Sequence, residues 1–198
     1  MVQSYEGMVK EDSDMTVWNR AFETLAEIVE YGRKKYGDFA PELFILDGST
    51  DFMFDLKIWL DDYMEFLEQE EEQEQLEKVC RKLLKLFAWE KASPSDIRFR
   101  LASSMLSLNK KKEAGDFCER WYGEDENDPA AAAALIYAWI ADRRYKDAQK
   151  VVDFWMDKEG GYTVENAEVF GAAAVLQNVF PGNGKDIQVQ YCSSCNKL

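Results

Sequence analysis

The chain has 198 residues, of which 46% are hydrophobic, and its formal net charge is −14. Six Trp, nine Tyr and twelve Phe supply enough apolar volume for a packed core, which excludes global disorder. The acidic field favours solubility and repels phosphate backbones, so we expect a protein or peptide partner, most easily a basic one, and no nucleic acid. The sequence contains no histidine, which excludes Ser-His-Asp and Cys-His catalysis and histidine-ligated zinc.

No targeting or membrane segment is recognisable. The first residues, MVQSYEGMVKEDSD, lack the apolar core of a secretory signal, and no apolar run approaches the roughly 18 residues that suggest a membrane span. The chain has four cysteines, which are too few to indicate a disulfide scaffold at this length. We therefore expect a cytoplasmic protein without a membrane partner.

The N-terminal part of the chain predicts two helices. Apolar residues recur at the three- and four-residue steps of a helix at Trp18, Phe22, Leu25 and Val29. Thr16 is the expected cap of this helix and Gly37 its expected stop. A second helix is expected to start from a cap at Ser49 or Thr50 and to carry a broad apolar surface made of Phe52, Leu56, Trp59, Leu60, Tyr63, Phe66 and Leu67.

The acidic segment Glu68–Glu77 predicts a solvated linker and the start of a third helix. Carboxylates there favour the positive N-terminal end of the helix dipole. We expect this helix to reach Trp89. The sequence ASPSD then interrupts the chain, and helical patterns follow at 96–109 and 111–122.

The C-terminal part predicts three more helices. The first has Asp128 as its N-cap and Pro129 at its first helical position. The second ends at the glycines of EGGYT, and the third runs from Val164 to Phe180. Only IQVQY near the C-terminus has the alternation of a strand. Helices joined by short turns predict an all-α fold of antiparallel helices.

Residues of matching character recur at a constant interval in the middle of the chain. The matching sets are Leu67, Leu101 and Leu135; Lys78, Lys112 and Lys146; Cys80, Ala114 and Ala148; Leu84, Cys118 and Val152; and Phe87, Trp121 and Trp155. With small and large side chains in register at a period of about 34 residues, the pattern resembles the tetratricopeptide repeat. The windows Ser95–Asp128 and Pro129–Tyr162 carry the resemblance, together with the second half of Asp61–Pro94.

The resemblance implies pairs of antiparallel helices, A and B, stacked into a right-handed α-α superhelix. It divides the chain into N-terminal helices that form a diverged repeat or cap (1–60), helix pairs (61–162), a terminal capping helix (163–180) and an extended tail (181–198). All four parts are expected to form a single compact domain. The chain departs from the family pattern at the positions of its Trp, Gly and late Pro, which are here Arg98 and Ala132, Ala102 and Ile136, and Glu126 and Gly160.

In this family helix A lines the concave surface, so the resemblance also implies which residues face a ligand. The predicted peptide-binding residues are Phe99, Ser103, Leu106, Ala130, Ala133, Tyr137 and Ile140. Ala130 and Ala133 are expected to leave a shallow trough beside an aromatic wall, which suits an extended or helical peptide. The alternative is that the apolar side chains are packed inside the fold. The other alanines of this run are expected to pack against neighbouring helices: Ala131, Ala132 and Ala134.

Four arginines are expected to lie off this concave line, on solvated faces and helix ends: Arg98, Arg100, Arg143 and Arg144. The Lys, Arg and Asn residues of the family's carboxylate clamp are missing from the predicted concave positions. We therefore expect no such clamp.

The cysteines fall into two groups. Cys80 and Cys118 lie where helices B pack and are expected to be small buried hydrophobes. Cys192 and Cys195 form a C-x-x-C pair, but a structural zinc site takes four ligands. The sequence therefore predicts no cofactor and no metal within one chain. The alternatives for the pair are inert thiols, a zinc or disulfide link between two chains, or a redox site.

Apolar residues alternate with polar ones in the C-terminal tail at Ile187, Val189 and Tyr191. The final predicted helix resembles a helix A that has no helix B. The tail is therefore a candidate to cover that helix or to fold into the trough.

Three classes of function follow. The resemblance implies a non-enzymatic scaffold that binds a protein or peptide on the concave helix-A surface. The alternative is a self-association or structural module in which Cys192 and Cys195 bridge chains, and the oligomeric state stays open. An enzyme that uses Asp61 and Asp62, or Glu70–Glu72, is not expected, because neighbouring acids on a helix diverge and acidic runs are normally solvated.

Overall fold

The computed structural model describes residues 2–9, 14–49, 55–159, 163–164 and 166–181. These residues form helices and no strand, which confirms the all-α prediction. The strand pattern IQVQY lies outside them. In the same part of the chain, no helix has both the length and the hydrophobicity needed to cross a bilayer. The helices are α1 (Val2–Val9), α2 (Met15–Tyr36), α3 (Phe44–Ser49), α4 (Leu56–Gln69), α5 (Gln73–Leu86), α6 (Ser95–Ser107), α7 (Lys111–Glu124), α8 (Pro129–Ala141), α9 (Tyr145–Glu159) and α10 (Ala167–Val179).

The chain divides into two compact units, Met1–Ile97 and Arg98–Leu198, whose boundary falls in the first turn of α6. The boundary lies inside the segment 61–162 that the sequence predicted as helix pairs, and the predicted single compact domain stays a prediction. Each unit buries a core of its own. The core of the first unit is rich in aromatic rings, and that of the second is rich in alanine.

The first unit is built on rings that α2 and α4 bring together. Trp18 of α2 lies 5.6 Å from Trp59 and 5.8 Å from Tyr63, measured between ring centroids. The ring planes are inclined by 11° and 12°, so the rings are stacked, and all three side chains are buried. Trp59 and Tyr63 stand one helical turn apart, which places both on the face of α4 that meets Trp18.

The hydroxyl of Tyr63 is hydrogen-bonded inside this aromatic core. It donates to the side-chain oxygen of Asn19 and accepts from Gln75 Nε2 at 3.4 Å. Burial raises the pKa of Tyr63 to about 12; the hydrogen bond from Gln75 acts against this shift. The phenol therefore stays protonated at neutral pH and can donate to Asn19.

The sequence predicted the C-terminal end of α2 correctly but not its N-terminal cap. Gly37 ends the helix with φ 67°, as expected of a glycine stop. The N-cap is Asp14, whose carboxylate accepts a hydrogen bond from the Thr16 N–H at 2.9 Å. The prediction of Thr16 as the cap is therefore wrong. A carboxylate at this position also complements the positive end of the helix dipole.

The observed ends of α4 and α5 also differ from the predicted ends. Asp55 caps α4 and accepts from the Ile58 N–H at 2.9 Å, whereas the cap was expected at Ser49 or Thr50. Ser49 is the last residue of α3, and Thr50 lies outside the described residues. α5 ends at Leu86 and not at Trp89, whose φ of 57° is incompatible with a right-handed helix. α1 was not predicted at all.

In the second unit, α8 is the central helix and contacts α7, α9 and α10. Every residue from Ala131 to Ile136 is at most 2% exposed. Alanine adds little bulk, so neighbouring backbones can approach this helix closely on several sides. Small residues of the neighbouring helices belong to the same buried cluster: Ala148 of α9, and Ala172 and Ala173 of α10. The alanine run of the sequence therefore serves mainly to pack helices.

The helices α6 to α9 begin at regular positions. α6 begins at Ser95 and α8 at Pro129. α7 begins at Lys111 and α9 at Tyr145, and the same length of chain separates the members of each pair. This length equals the interval between the matching residues of the sequence, so the helix starts follow the period of the residue pattern.

Candidate functional site

A groove lies between α6 and α8 in the second unit and has a volume of about 400 Å³. This volume falls within the roughly 300–1,000 Å³ of typical ligand pockets. The lining is apolar apart from the hydroxyl groups of Ser103 and Tyr137. We call it the α6–α8 groove and define it by Phe99, Ala102, Ser103 and Leu106 of α6 and by Ala134, Tyr137, Ile140 and Ala141 of α8.

Local signals set the position of the α8 wall. The carboxylate of Asp128 accepts hydrogen bonds from two N–H groups of the first helical turn, at 2.9 and 3.3 Å. Pro129 occupies the first helical position, so both predictions for this helix start are confirmed. Once the start is fixed, residues at three- and four-residue steps share one face and reach the groove together; these are Ala134, Tyr137 and Ala141.

Phe99 and Tyr137 form the aromatic wall of the groove. Their ring centroids lie 6.4 Å apart at an interplanar angle of 82°, an edge-to-face arrangement. Both side chains are half-buried, so part of each ring remains open to a ligand. Burial raises the pKa of Tyr137, and the Glu168 carboxylate raises it further. The Tyr137 hydroxyl is therefore a neutral group at the groove.

Five of the seven predicted binding residues line the α6–α8 groove, namely Phe99, Ser103, Leu106, Tyr137 and Ile140. Ala130 is half-buried and is not part of the lining. Ala133 is fully buried and so offers no surface to a ligand, which differs from the prediction that it leaves an open trough. The reason is that α8 is enclosed by other helices on the side that carries Ala133.

Three alanines outside the predicted binding set complete the lining, namely Ala102, Ala134 and Ala141. Ala134 was expected to pack against a neighbouring helix; it is only 2% exposed but contributes to the groove wall. Ala102 lies three residues after Phe99 and four before Leu106, on the same helix face. This spacing could have identified Ala102 as a groove residue from the sequence.

The four arginines that were expected off the concave line do not line the α6–α8 groove. Arg98 pairs with Glu124 at 2.6 Å. Arg144 pairs with Glu119, and its guanidinium lies 4.6 Å from the ring centroid of Trp139. Glu119 also accepts from the Trp139 indole N–H at 2.9 Å; this bond and Arg144 lower the pKa of Glu119. Arg98 thus links α6 to α7, and Arg144 links the turn after α8 to α7.

A smaller cavity of about 330 Å³ lies at the turn between α8 and α9 and includes Phe180. Phe180 directly follows α10 and stacks on Tyr145, the first residue of α9, with ring centroids 5.5 Å apart. The described chain ends at Pro181. It therefore ends beside the turn that follows Ala141, which is part of the groove lining.

The described cysteines have the structural role that was predicted. Cys80 and Cys118 are both buried. Burial, with a smaller effect of Glu119, raises the pKa of Cys118 to about 12, so its sulfur stays a thiol. No group of three or more His, Cys, Asp or Glu residues that could hold a metal occurs among the described residues. Cys192 and Cys195 lie outside them, and the alternatives for this pair stay predictions.

The carboxylates considered for catalysis lie on the surface of the first unit. Asp61 pairs with Lys57 at 2.7 Å, one turn away on α4. Glu70–Glu72 are exposed between α4 and α5. These are ordinary surroundings for acids at a protein surface.

Comparison with protein-family models, with curated proteins and with solved structures gives no match for this chain. The resemblance to the tetratricopeptide repeat therefore stays a prediction from residues and spacing. A function must be argued from the groove itself.

Proposed function

We propose that the chain is a non-enzymatic module that binds an apolar segment of a partner protein in the α6–α8 groove. The observation that carries the proposal is an apolar groove of about 400 Å³ with a half-exposed aromatic wall. Apolar grooves with few polar groups are common seats for extended or helical peptides. The lining supplies two hydroxyls and no acid or base to activate them, which favours binding over catalysis.

The spacing of the helices supports a tetratricopeptide-like arrangement for this part of the chain. The starts of α6 and α8 are separated by the same length of chain as the starts of α7 and α9. In the proposed arrangement α6 and α8 are A helices, α7 and α9 are B helices, and the pairs stack into a right-handed superhelix. The α6–α8 groove then lies on the concave surface, between two successive A helices.

The charge of the protein favours a partner with basic residues beside its apolar segment. The chain carries a net charge of −14. The negative charge of Glu168 also raises the pKa of Tyr137 in the groove wall. A negative field attracts a lysine or arginine on the partner and disfavours acidic segments. The apolar segment would supply most of the affinity, and the basic flank would supply selectivity and a faster association rate.

Selection of peptides on the full chain tests this proposal. Random peptides displayed on phage are selected against the protein, and calorimetry measures the affinity of the recovered sequences. We expect apolar peptides with basic flanks. Ser103→Glu places a carboxylate on an exposed part of the groove wall, where it disturbs folding little. It should weaken binding at least about tenfold, because the charge is desolvated when an apolar peptide covers it.

The matched control is Ala174→Glu, which adds the same charge to an exposed position of α10 outside the groove lining. This variant should bind within about twofold of the wild type, as surface substitutions away from a site usually do. Circular dichroism checks that both variants keep their helices. Equal affinities for the two variants would contradict the proposal, and so would a selection that yields no apolar peptide.

A further inference from the structure

We propose that the α6–α8 groove is occupied by the C-terminal segment of the same chain, with Ile187, Val189 and Tyr191 as its apolar contacts. The inference rests on the proposed peptide-binding function, because it names an occupant of the same groove. The segment acts as a competitive internal ligand, which a partner must displace before it binds.

The place where the described chain ends is the first support. Phe180 stacks on Tyr145, the first residue of α9, just after the turn that follows α8. The groove ends at this same turn, because Ile140 and Ala141 are the last residues of α8 and line it. The chain therefore continues from beside the turn at which the α8 wall of the groove ends.

The length of the remaining chain is the second support. Residues 182–198 follow the last described residue, Pro181. The six residues from Pro181 to Ile187 span about 20 Å when extended. The 13 residues of α8 also cover about 20 Å at 1.5 Å per helical residue. The connection from Pro181 to Ile187 is therefore about as long as the α8 wall.

The residue pattern of the segment matches the groove. In an extended chain, alternate residues point to the same side. Ile187, Val189 and Tyr191 then face the apolar lining together, and Gln188 and Gln190 face water. Contact with Phe99 and Tyr137 gives the Tyr191 ring an aromatic partner.

The charge of the segment is also favourable. Residues 182–198 contain two lysines and one aspartate, within a chain whose net charge is −14. The stretch that holds the apolar residues, 184–191, contains one lysine and one aspartate and so carries no excess of negative charge. Repulsion by the acidic protein, which would oppose an acidic tail, is absent for this one.

Tethering makes even a weak contact effective. A short flexible connection gives an effective concentration on the order of millimolar. A segment whose own dissociation constant is about 0.1 mM then fills the groove about nine-tenths of the time and weakens a competing ligand about tenfold. The internal contact needs no high intrinsic affinity.

Calorimetry with a synthetic peptide of residues 184–191 tests the inference in the full-length protein. Val189→Asp puts a charge at the centre of the apolar face of the tail and should release it from the groove. Gln190→Asp, its neighbour on the polar face, is the matched control. We expect the peptide to bind the Val189→Asp variant at least about tenfold more tightly than the wild type or the control. Adding Ser103→Glu to Val189→Asp should remove that binding.

The inference is overturned if the synthetic peptide binds the wild type and both variants equally, or binds none of them. A phage-selected apolar peptide measured on the same proteins separates the two proposals. If that peptide binds all of them alike and still responds to Ser103→Glu, the groove is a peptide site and only the internal ligand is refuted. If it does not respond to Ser103→Glu, the proposed function itself fails.

Discussion

The core of the first unit is held by large rings, whereas the core of the second is built around alanines. Trp59 and Tyr63 of α4 stack on Trp18, while α8 presents Ala131–Ala134 to its neighbours. A ring stabilises by the apolar area that it buries, at about 25 cal/mol per Å². An alanine buries little area but lets backbones approach. The first unit should therefore be sensitive to lost volume and the second to added volume.

The largest expected effect is a loss of volume in the aromatic core. Trp59→Ala removes a ring that is 1% exposed and stacks on Trp18, and it should lower the free energy of unfolding by about 3–5 kcal/mol. Ile58→Ala, at a position that is 55% exposed, should cost less than about 1 kcal/mol. Urea unfolding followed by circular dichroism measures both values. Similar costs for the two variants would show that the ring stack does not hold this unit together.

The second effect is a gain of volume in the alanine-rich core. Ala133→Leu forces a branched side chain into a position with no exposed surface and should cost about 1–3 kcal/mol. Ala174→Leu makes the same change at an exposed position of α10 and should be nearly neutral. The unfolding midpoints of the two variants in urea provide the comparison. A neutral Ala133→Leu would mean that α8 is packed loosely, against the account given for this unit.

The third effect is a pH dependence in the aromatic unit. The pKa of Tyr63 is about 12 in the folded protein, above its ordinary value of 10.0, because burial disfavours the phenolate. The unfolded chain therefore releases this proton first, and stability is lost as pH rises from about 10 through about 12. The loss attributable to Tyr63 should reach up to roughly 2 kcal/mol.

Tyr63→Phe should show a smaller fall in unfolding free energy over this range of pH than the wild type. The control is Tyr36→Phe, at a tyrosine that is 64% exposed, which should fall like the wild type. Denaturant titrations at several pH values supply the data. If the unfolding free energy falls equally with pH in all three proteins, Tyr63 is not held buried and protonated.

The last and smallest effect concerns the alkylation rate of one buried thiol in each unit. Cys80 lies in α5 of the first unit and Cys118 in α7 of the second, and both are buried. In a Cys192→Ser/Cys195→Ser background, alkylation of each should be at least about a hundredfold slower in the native than in the unfolded protein. Mass spectrometry of the labelled peptides gives each rate separately. A thiol that reacts rapidly in the native protein would show that its unit opens locally.

Local signals in the sequence predicted much of this fold. Asp128 and Pro129 start α8, and Gly37 stops α2, because caps and stops act within one turn of chain. Asp14 and Asp55 were missed as caps because Ser and Thr are preferred at the N-cap position as well, and such residues, among them Thr16, lie nearby. Spacing alone could place the start of a helix only to within a few residues.

The candidate site was predictable where side chains are distinctive. Phe99, Leu106 and Tyr137 stand out as large apolar residues at helical spacing, and all three line the groove. Ala133 and Ala134 look alike in the sequence, and only the packing of the neighbouring helices decides which of them is fully enclosed. That information is tertiary, so no local pattern contains it.

The most direct test of the central claim, that the α6–α8 groove binds an apolar peptide segment, is photo-cross-linking from position 99. A benzophenone analogue replaces Phe99 in the full chain; in a control protein it replaces Phe154, which is 43% exposed on α9 and outside the groove. Irradiation is carried out with and without a phage-selected apolar peptide.

We expect cross-links from position 99, and not from position 154, to residues 184–191 of the same chain. The added peptide should compete for these cross-links and become labelled in their place. No cross-link from position 99, or equal labelling from both positions, would contradict the claim that this groove is a binding site.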